Sequence, residues 1–486
     1  MSDWYLDPED AEAARAAIAP LRAQLKIDER NAEFEAHRYR PEDAALPSLH
    51  LEDVSAIPFL DGISGVEEYQ HRARVRCGTG DLFAAATAPA IGYEAYSSAQ
   101  LGLGSPTMIP VEPAKGREAN VAEACSTGAA FAALCEATTA AGGLVIHPYM
   151  GIEAVWALAA KLHEATGCRV AVLAPPPPVT WLANDKGHLT DAVARCAGVD
   201  AVPETHEVRG LEALITRVAD LGTRYARVGV KRTRCASAMG NLVLSANACC
   251  DAQGEPAPTL RETLQGFLKR TRWDGDESLL ATQWVETTLS PSSQLWIPPL
   301  GDGEPRLDGL YEQLLTGEHG MFVGSRPSTL PSWVHEEMAG ISLLTAAGLQ
   351  ACGYVGRCSF DFVIEGDVSD EEGFAAIVTE CNGRWGGTST PMALVDRLTA
   401  GHRESRPDYI AKDVISPALV GRTVPELVAL LGEHAFDAKT GRGTFALYNT
   451  GPLHTHGKID VAALGDSPEA AAHAMNTLLP QLWSLT

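Results

Sequence analysis

The chain predicts a multidomain protein that joins a parallel α/β layer to an α+β region built on antiparallel strands. Three observations carry this expectation. Residues 143–174 read strand, helix, strand: Gly143-Leu-Val-Ile-His-Pro, a helical stretch over 152–166 closed by Gly167, then Arg169-Val-Ala-Val-Leu-Ala. That order and those lengths form a βαβ unit, hence a parallel layer. Four consecutive prolines, 175–178, then interrupt the chain. Neither a helix nor a central strand continues through them, so a domain boundary is placed there. Further on, 358–365 and 374–382 read as strands flanking the acidic, glycine-bounded turn 366–373, which predicts a hairpin.

The remaining elements follow in order. Residues 8–25 have helical spacing, and a polar stretch rich in Glu, Arg and Pro runs to about residue 47. Beyond the prolines, 185–197 is helical, and 225–231 and 242–244 are strands around a small-residue turn. Residues 290–332 are rich in Pro, Gly and Ser and are expected to be loops between short strands. A helix over 335–348 precedes the hairpin; strands near 445–448 and 458–463 and a helix from about 468 follow it. The 486 residues exceed one compact core. The expected domains are 1–178, 179–290 with a mobile lid at about 223–282, and 291–486.

The formal net charge of −24 repels phosphate backbones, so no nucleic-acid partner is expected. The acidic start, Met1-Ser-Asp-Trp-Tyr-Leu-Asp, does not read as a secretory signal, and no apolar run reaches bilayer length, so no membrane partner is expected. The eleven cysteines are scattered without a C-x-x-C pair. That argues against metal knuckles and for reduced thiols in the cytoplasm.

The hairpin carries the chemistry. It reads Ser359-Phe-Asp361-Phe, the turn, then Thr379-Glu380-Cys-Asn382-Gly-Arg384-Trp-Gly-Gly. Facing residues of an antiparallel pair have a constant index sum, and the midpoint of Asp361 and Glu380 falls inside the turn. The two carboxylates can therefore lie close across the ladder, with Asn382 on the face of Glu380. Such hard oxygen donors suit magnesium. Taken alone, the hairpin reads equally as a solvated acidic face. Arg384 beside it can hold a phosphoryl group or carboxylate, and Gly386-Gly387 allows close backbone approach. Trp385 is read either as a wall of an acceptor pocket or as core.

Other motifs are weaker. Gly451 and Gly457-Lys458 lack Walker spacing, and Gly102-Leu-Gly104 lacks the third glycine of a dinucleotide fingerprint. His335-Glu-Glu has no second histidine one turn on. His147 ends a strand, where ligands bind in α/β folds, but reads first as structural. Glu67, Glu68 and the basic stretch 69–76 read as surface charge pairs.

At Asp361 and Glu380-x-Asn382-x-Arg384 with its glycines, the chain resembles the ATP-grasp superfamily, most of all the pheganomycin-type peptide ligases. The resemblance spans about residues 66–465 and is densest at 181–189, 231–244, 284–299 and 359–391. It implies an ATP-grasp fold preceded by an N-terminal α/β pre-ATP-grasp domain. It implies that Asp361, Glu380 and Asn382 hold magnesium, with manganese as an alternative, and that Arg384 steadies the transferring phosphate. Lys186 and Lys231 are similar to the two lysines that reach ATP phosphates; Ser237, Met239 and Gly240 lie in the loop that wraps them. Val285 and Glu286 look like the hinge that meets adenine and ribose. The implied activity is an ATP-dependent, ADP-forming carboxylate–amine ligase working through an acyl phosphate in peptide or specialised-metabolite biosynthesis. Its partners are small-molecule or peptide carboxylates and amines, and a homodimer is the family-level expectation. The alternatives are a thiol or ammonia acceptor, or a non-catalytic nucleotide sensor.

Overall fold

The βαβ reading holds in three dimensions. A computed structural model describes residues 4–58, 66–235, 240–316, 321–403 and 405–485. In it Gly143–Pro148 and Arg169–Val172 are parallel neighbours joined by the helix Glu153–Thr166. Ser48–Leu51, Leu82–Ala85 and Thr107–Pro110 extend them to a five-stranded parallel sheet. These added strands have four residues each, too few to show a period above their surroundings.

The strand before the four prolines stops at Val172, and Pro177 opens the helix Pro177–Asn184. A proline costs nothing in the first helical turn, where its missing N–H has no partner to lose. The next helix, Lys186–Ala197, is capped by Asp185, which accepts from the Gly187 and His188 N–H groups at 3.1 and 3.3 Å.

A four-stranded antiparallel sheet follows, in the spatial order Thr205–Val208, Leu279–Gln283, Arg227–Arg232, Asn241–Ser245. The helices Leu211–Gly222 and Leu260–Arg270 cover it with Leu214, Val218, Leu264 and Phe267, giving this unit its own core.

The largest layer has eight antiparallel strands and contains the hairpin Gly356–Gly366 and Phe374–Asn382 at one edge. Residues 290–332 were expected to be loops between short strands, and here the structure corrects the sequence. Pro291–Ile297, Arg306–Thr316 and Met321–Pro327 are long strands of this sheet. Their prolines sit at strand ends and in the intervening turn, positions that cost no ladder bond. Behind the sheet lies the helix Ser332–Ala351, packed on Cys358, Phe360, Phe362 and Val378. The N-terminal helix Pro8–Ala17 packs on it in turn through Ala11, Ala14 and Ala347.

A second correction concerns residues 69–76. They belong to the 3-10 helix Val66–Arg76, and its arginines are inside the molecule. Arg74 is fully buried against Glu94 and the Gly104 carbonyl, both at 2.8 Å. Arg76 pairs with buried Glu52 at 2.9 Å, and Arg72 reaches Asp460 of the large sheet at 3.3 Å. Charge spacing along the chain suggested local pairs, but the acids lie at distant positions. Arg397, from the helix Ser389–Thr399, reinforces this seam by donating to the Cys77 and Leu103 carbonyls at 2.8 and 3.0 Å.

Gly151 lets the parallel sheet meet the helix Pro177–Asn184. A Cβ there would stand 2.0 Å from the Pro175 carbonyl oxygen and 2.9 Å from Thr180 Oγ1, which itself donates to Gly151 O at 3.0 Å. Gly151→Ala should therefore destabilise the fold by about 2 kcal/mol, the scale of an overpacked site. A thermal melt read by circular dichroism should show the lowered midpoint; an unchanged midpoint would mean this contact yields freely.

Candidate active site

The hairpin register brings the predicted carboxylates together. Asp361 faces Glu380, and Ser359 faces Asn382. The ladder then shifts by one residue after Asp361, so Phe362 faces Val378 and Thr379 is the extra residue of a bulge. Bulges of this kind re-aim side chains beside functional sites. Burial, together with the neighbouring Glu380 charge, pushes the Asp361 carboxyl up to about 7. Asn382 Nδ2 donates to Asp361 Oδ2 at 2.9 Å.

Lys186 answers the pair. It is the first residue of the helix Lys186–Ala197, where the helix dipole disfavours a cation. Two acids offset this: the Asp185 cap and Glu380, whose Oε1 is 3.2 Å from Lys186 Nζ. Lys186 also donates to the Cys235 carbonyl at 2.9 Å. Burial opposes its charge, but Glu380 and Cys235 hold its pKa above the ordinary value.

Lys231 lies on the edge of the same group. Its ammonium is 5.4 Å from the Trp284 ring centroid. Burial first, then the charge of Lys186, bring its pKa down to about 8. Gly240 closes the turn beside it: the Arg232 N–H donates to the Gly240 carbonyl at 2.9 Å, and a Cβ on Gly240 would strike Cys235 Sγ at 2.3 Å. Ser237 and Met239 lie outside the described residues.

Val285 and Glu286 follow the strand Leu279–Gln283 after Trp284. Glu286 is exposed and ion-paired with Arg227, at the start of the strand that carries Lys231, at 2.5 Å. This contact ties the predicted hinge to the base of the predicted lid.

Arg384 is held by residues from two distant parts of the chain. Asn184 Oδ1 accepts from Arg384 Nη1 at 2.8 Å and from the Gly383 N–H at 3.1 Å. Only glycine fits at 383, because a Cβ would stand 2.7 Å from Asn184 Nδ2. The Tyr149 hydroxyl accepts from Arg384 Nε at 3.0 Å, and the Tyr149 carbonyl accepts from the Trp385 N–H at 3.0 Å. Gly387 serves packing: a Cβ there would meet the Phe322 ring at 2.5 Å. Trp385 is buried, and His147 sits 5.7 Å from it, ring centroid to ring centroid.

Sequence reasoning missed Tyr149, Asn184 and the Cys235 carbonyl. Asn184 stands two residues before Lys186, which was its only signal. Tyr149 directly follows the parallel strand Gly143–Pro148, a place where ligands gather.

Among the described residues no three His, Cys, Asp or Glu side chains gather as a metal group. The candidate set is two carboxylates and an amide. It fits a hard divalent cation that keeps water and phosphate oxygens in its shell. The mutual repulsion that raises Asp361 is what such a cation relieves. Asn382 now presents its N–H side to Asp361, so its amide turns over if its oxygen is to serve.

No protein-family model and no curated protein matches the sequence. Solved structures match the fold. The chain is similar to the N5-carboxyaminoimidazole ribonucleotide synthetase of Thermus thermophilus, with 14% identity, a TM-score of 0.51, and coverage of 90% of this chain and 98% of that one. It is similar to the biotin carboxylase domain of Hydrogenobacter thermophilus 2-oxoglutarate carboxylase, solved with MgADP and bicarbonate, with 13% identity, a TM-score of 0.50 and coverage of 89% of each chain. A third is the carboxyaminoimidazole ribonucleotide synthase of Aspergillus clavatus complexed with ATP, with 12% identity, a TM-score of 0.50 and coverage of 91% and 100%. With its parallel sheet followed by the small and the large antiparallel sheets, the chain has the ATP-grasp fold preceded by an N-terminal α/β domain.

Proposed function

We propose that the protein is an ATP-dependent, ADP-forming carboxylate–amine ligase that makes an amide or peptide bond through an acyl phosphate. The observation that supports this best is Asp361 facing Glu380 across the ladder, with Lys186 hydrogen-bonded to Glu380. Asp361, Glu380 and Asn382 would hold magnesium, or manganese, which when bound offsets phosphate charge and orients the phosphates. Lys186 and Lys231 supply the remaining positive charge. Gly240 would approach the phosphates through its backbone, while Val285 and Glu286 would meet the adenine and ribose.

In this reading a substrate carboxylate attacks the γ-phosphorus, and ADP leaves. Arg384, pinned by Asn184 and Tyr149, steadies the phosphoryl group without having to reorganise. The amine then adds to the acyl phosphate, Arg384 stabilises the charge on the carbonyl oxygen, and phosphate leaves. In this reading the Arg227–Glu286 pair at the base of the lid would couple lid closure to nucleotide binding, keeping water from the acyl phosphate. The finer assignment, a pheganomycin-type peptide ligase of specialised metabolism, is supported by the Glu380-x-Asn382-x-Arg384 motif and the N-terminal α/β domain.

A pooled screen of amino acids and small carboxylic acids, read by ADP release and product mass, tests the proposal. A pair that yields ADP with a condensed product is expected; ATP binding without ADP from any pair would sink it. Glu380→Gln should lower turnover at least about a hundredfold at moderate magnesium, the scale of losing one charge clamp. Turnover within a fewfold of the parent would remove Glu380 from the metal.

Proton exchange gives an independent check. Asp361, raised to about 7, is largely protonated at pH 6.5 and must lose its proton to bind a cation, so MgADP binding releases protons there. Lys231, lowered to about 8, is largely neutral at pH 8.5 and gains a proton when phosphate arrives, so binding takes protons up. Calorimetry in buffers of different ionisation heat should show this reversal of sign. Lys231→Met should abolish the uptake and weaken nucleotide binding about tenfold.

A further inference from the structure

Trp385, next to Arg384 in the chain, meets two buried arginines. The guanidinium carbon of Arg76 is 4.6 Å from its ring centroid, and that of Arg357 is 5.2 Å from it. The two side chains are 3% and 8% exposed. Each is tied to an acid through one nitrogen: Arg76 Nη1 to Glu52 at 2.9 Å, and Arg357 Nη1 to Asp308 at 2.5 Å and to the Leu295 carbonyl at 3.2 Å.

The other edge of the Arg76 fork is unused, and so is the Nε of Arg357. Arg76 Nε and Nη2 and Arg357 Nε are buried without a hydrogen-bond partner. Elsewhere in this chain the same Nε–Nη2 edge grips a carboxylate: Arg406 on Asp396 at 2.5 and 2.7 Å, and Arg195 on Asp191 at 2.7 and 3.2 Å. A buried guanidinium N–H with no acceptor is costly and calls for one, whether a water, an ion or a ligand group.

Their position relates them to the candidate active site. Side chains alternate along a strand, so Arg357 and Asp361 share one face of Gly356–Gly366, about 13 Å apart. Trp385 joins the arginines to Arg384, since both residues are bonded to Tyr149. His147, beside Trp385, adds no charge: burial, His50 and the two arginines hold it neutral. The acids facing this cluster, Glu52 and Asp308, are each already engaged.

We propose that Arg76 and Arg357, braced by Trp385, form a subsite for a second, non-reacting carboxylate of the acid substrate. The inference rests on the ligase reading in placing the reacting carboxylate at Arg384. It adds the substrate class: a dicarboxylic acid, one end activated and the other gripped in the seam between the N-terminal domain and the large sheet. The lateral edge of an arginine suits this, because it takes both oxygens of a planar carboxylate.

The test uses the full chain with linear dicarboxylates from malonate to suberate, each paired with the monocarboxylate of equal length. Affinity is measured by calorimetry with and without MgADP. At least one dicarboxylate should bind ten times more tightly than its monocarboxylate. Arg76→Lys and Arg357→Lys keep an ammonium for Glu52 and Asp308 but lack the lateral fork. Each should erase the preference while leaving MgADP affinity within twofold. A merely structural ion pair tolerates lysine and predicts no such change. No dicarboxylate preference in the parent protein, or the preference retained in both variants, overturns the subsite. The parent series decides alone if a variant does not fold. Failure of MgADP to bind, with the dicarboxylate preference intact, would defeat the ligase reading and leave the subsite standing.

Discussion

Two carboxylates facing each other across an antiparallel ladder are the constraint around which the rest of this structure is arranged. Like charges in that position destabilise a sheet. Asp361 and Glu380 are nonetheless fixed there, because the opposite face of the same strands is core. Phe360, Phe362, Val378 and Cys381 pack behind it against the helix Ser332–Ala351. Sliding the hairpin by one residue would bury the acids and expose the aromatics, so packing behind the sheet enforces repulsion in front of it. Lys186 is placed at a helix start that disfavours it because Glu380 needs a cation.

The large sheet contains another such pair, answered differently. Asp413 faces Asp460 across the strands Asp408–Ile415 and Lys458–Gly465. Burial and the Asp413 charge push Asp460 up to about 7, much as Glu380 helps push Asp361. There two fixed cations answer two acids: Lys458 is 2.6 Å from Asp413, and Arg72 is 3.3 Å from Asp460. At Asp361 and Glu380 one ammonium and one amide are in contact, leaving a charge for a mobile partner to match. The Asp413–Asp460 pair is matched from within the chain, whereas the Asp361–Glu380 pair keeps the unmatched charge that the proposed cation would meet.

The legible parts of the site were those set by local geometry. The two strands of a hairpin are joined by a local turn, so Asp361, Glu380 and Asn382 could be aligned by arithmetic. The helix expected over 185–197 corresponds to Lys186–Ala197. What the sequence hid was set by distant contacts. Asn184 lies 200 positions from Arg384 and Tyr149 lies 235 from it, and neither pairing leaves a trace in local spacing. Arginines 72, 74 and 76 read as surface charge because their acids come from residues 460, 94 and 52. Proline content concealed the strands of 290–332 because composition does not report whether prolines fall at strand ends.

The same distinction separates nucleotide chemistry from substrate choice. The groups proposed for ATP and magnesium come from the two antiparallel sheets and the helix beginning at Lys186, in segments whose geometry is largely local. The groups proposed for the substrate come from a seam. Tyr149 and Arg76 belong to the N-terminal domain, Arg357 and Trp385 to the large sheet, and the contacts among them exist only when the two are docked. A chain can therefore change what it joins by altering the N-terminal face of that seam while Asp361 and Glu380 stay in register. On the proposed subsite, Arg76, which reads from sequence as solvated charge, is the residue by which the N-terminal domain would set specificity.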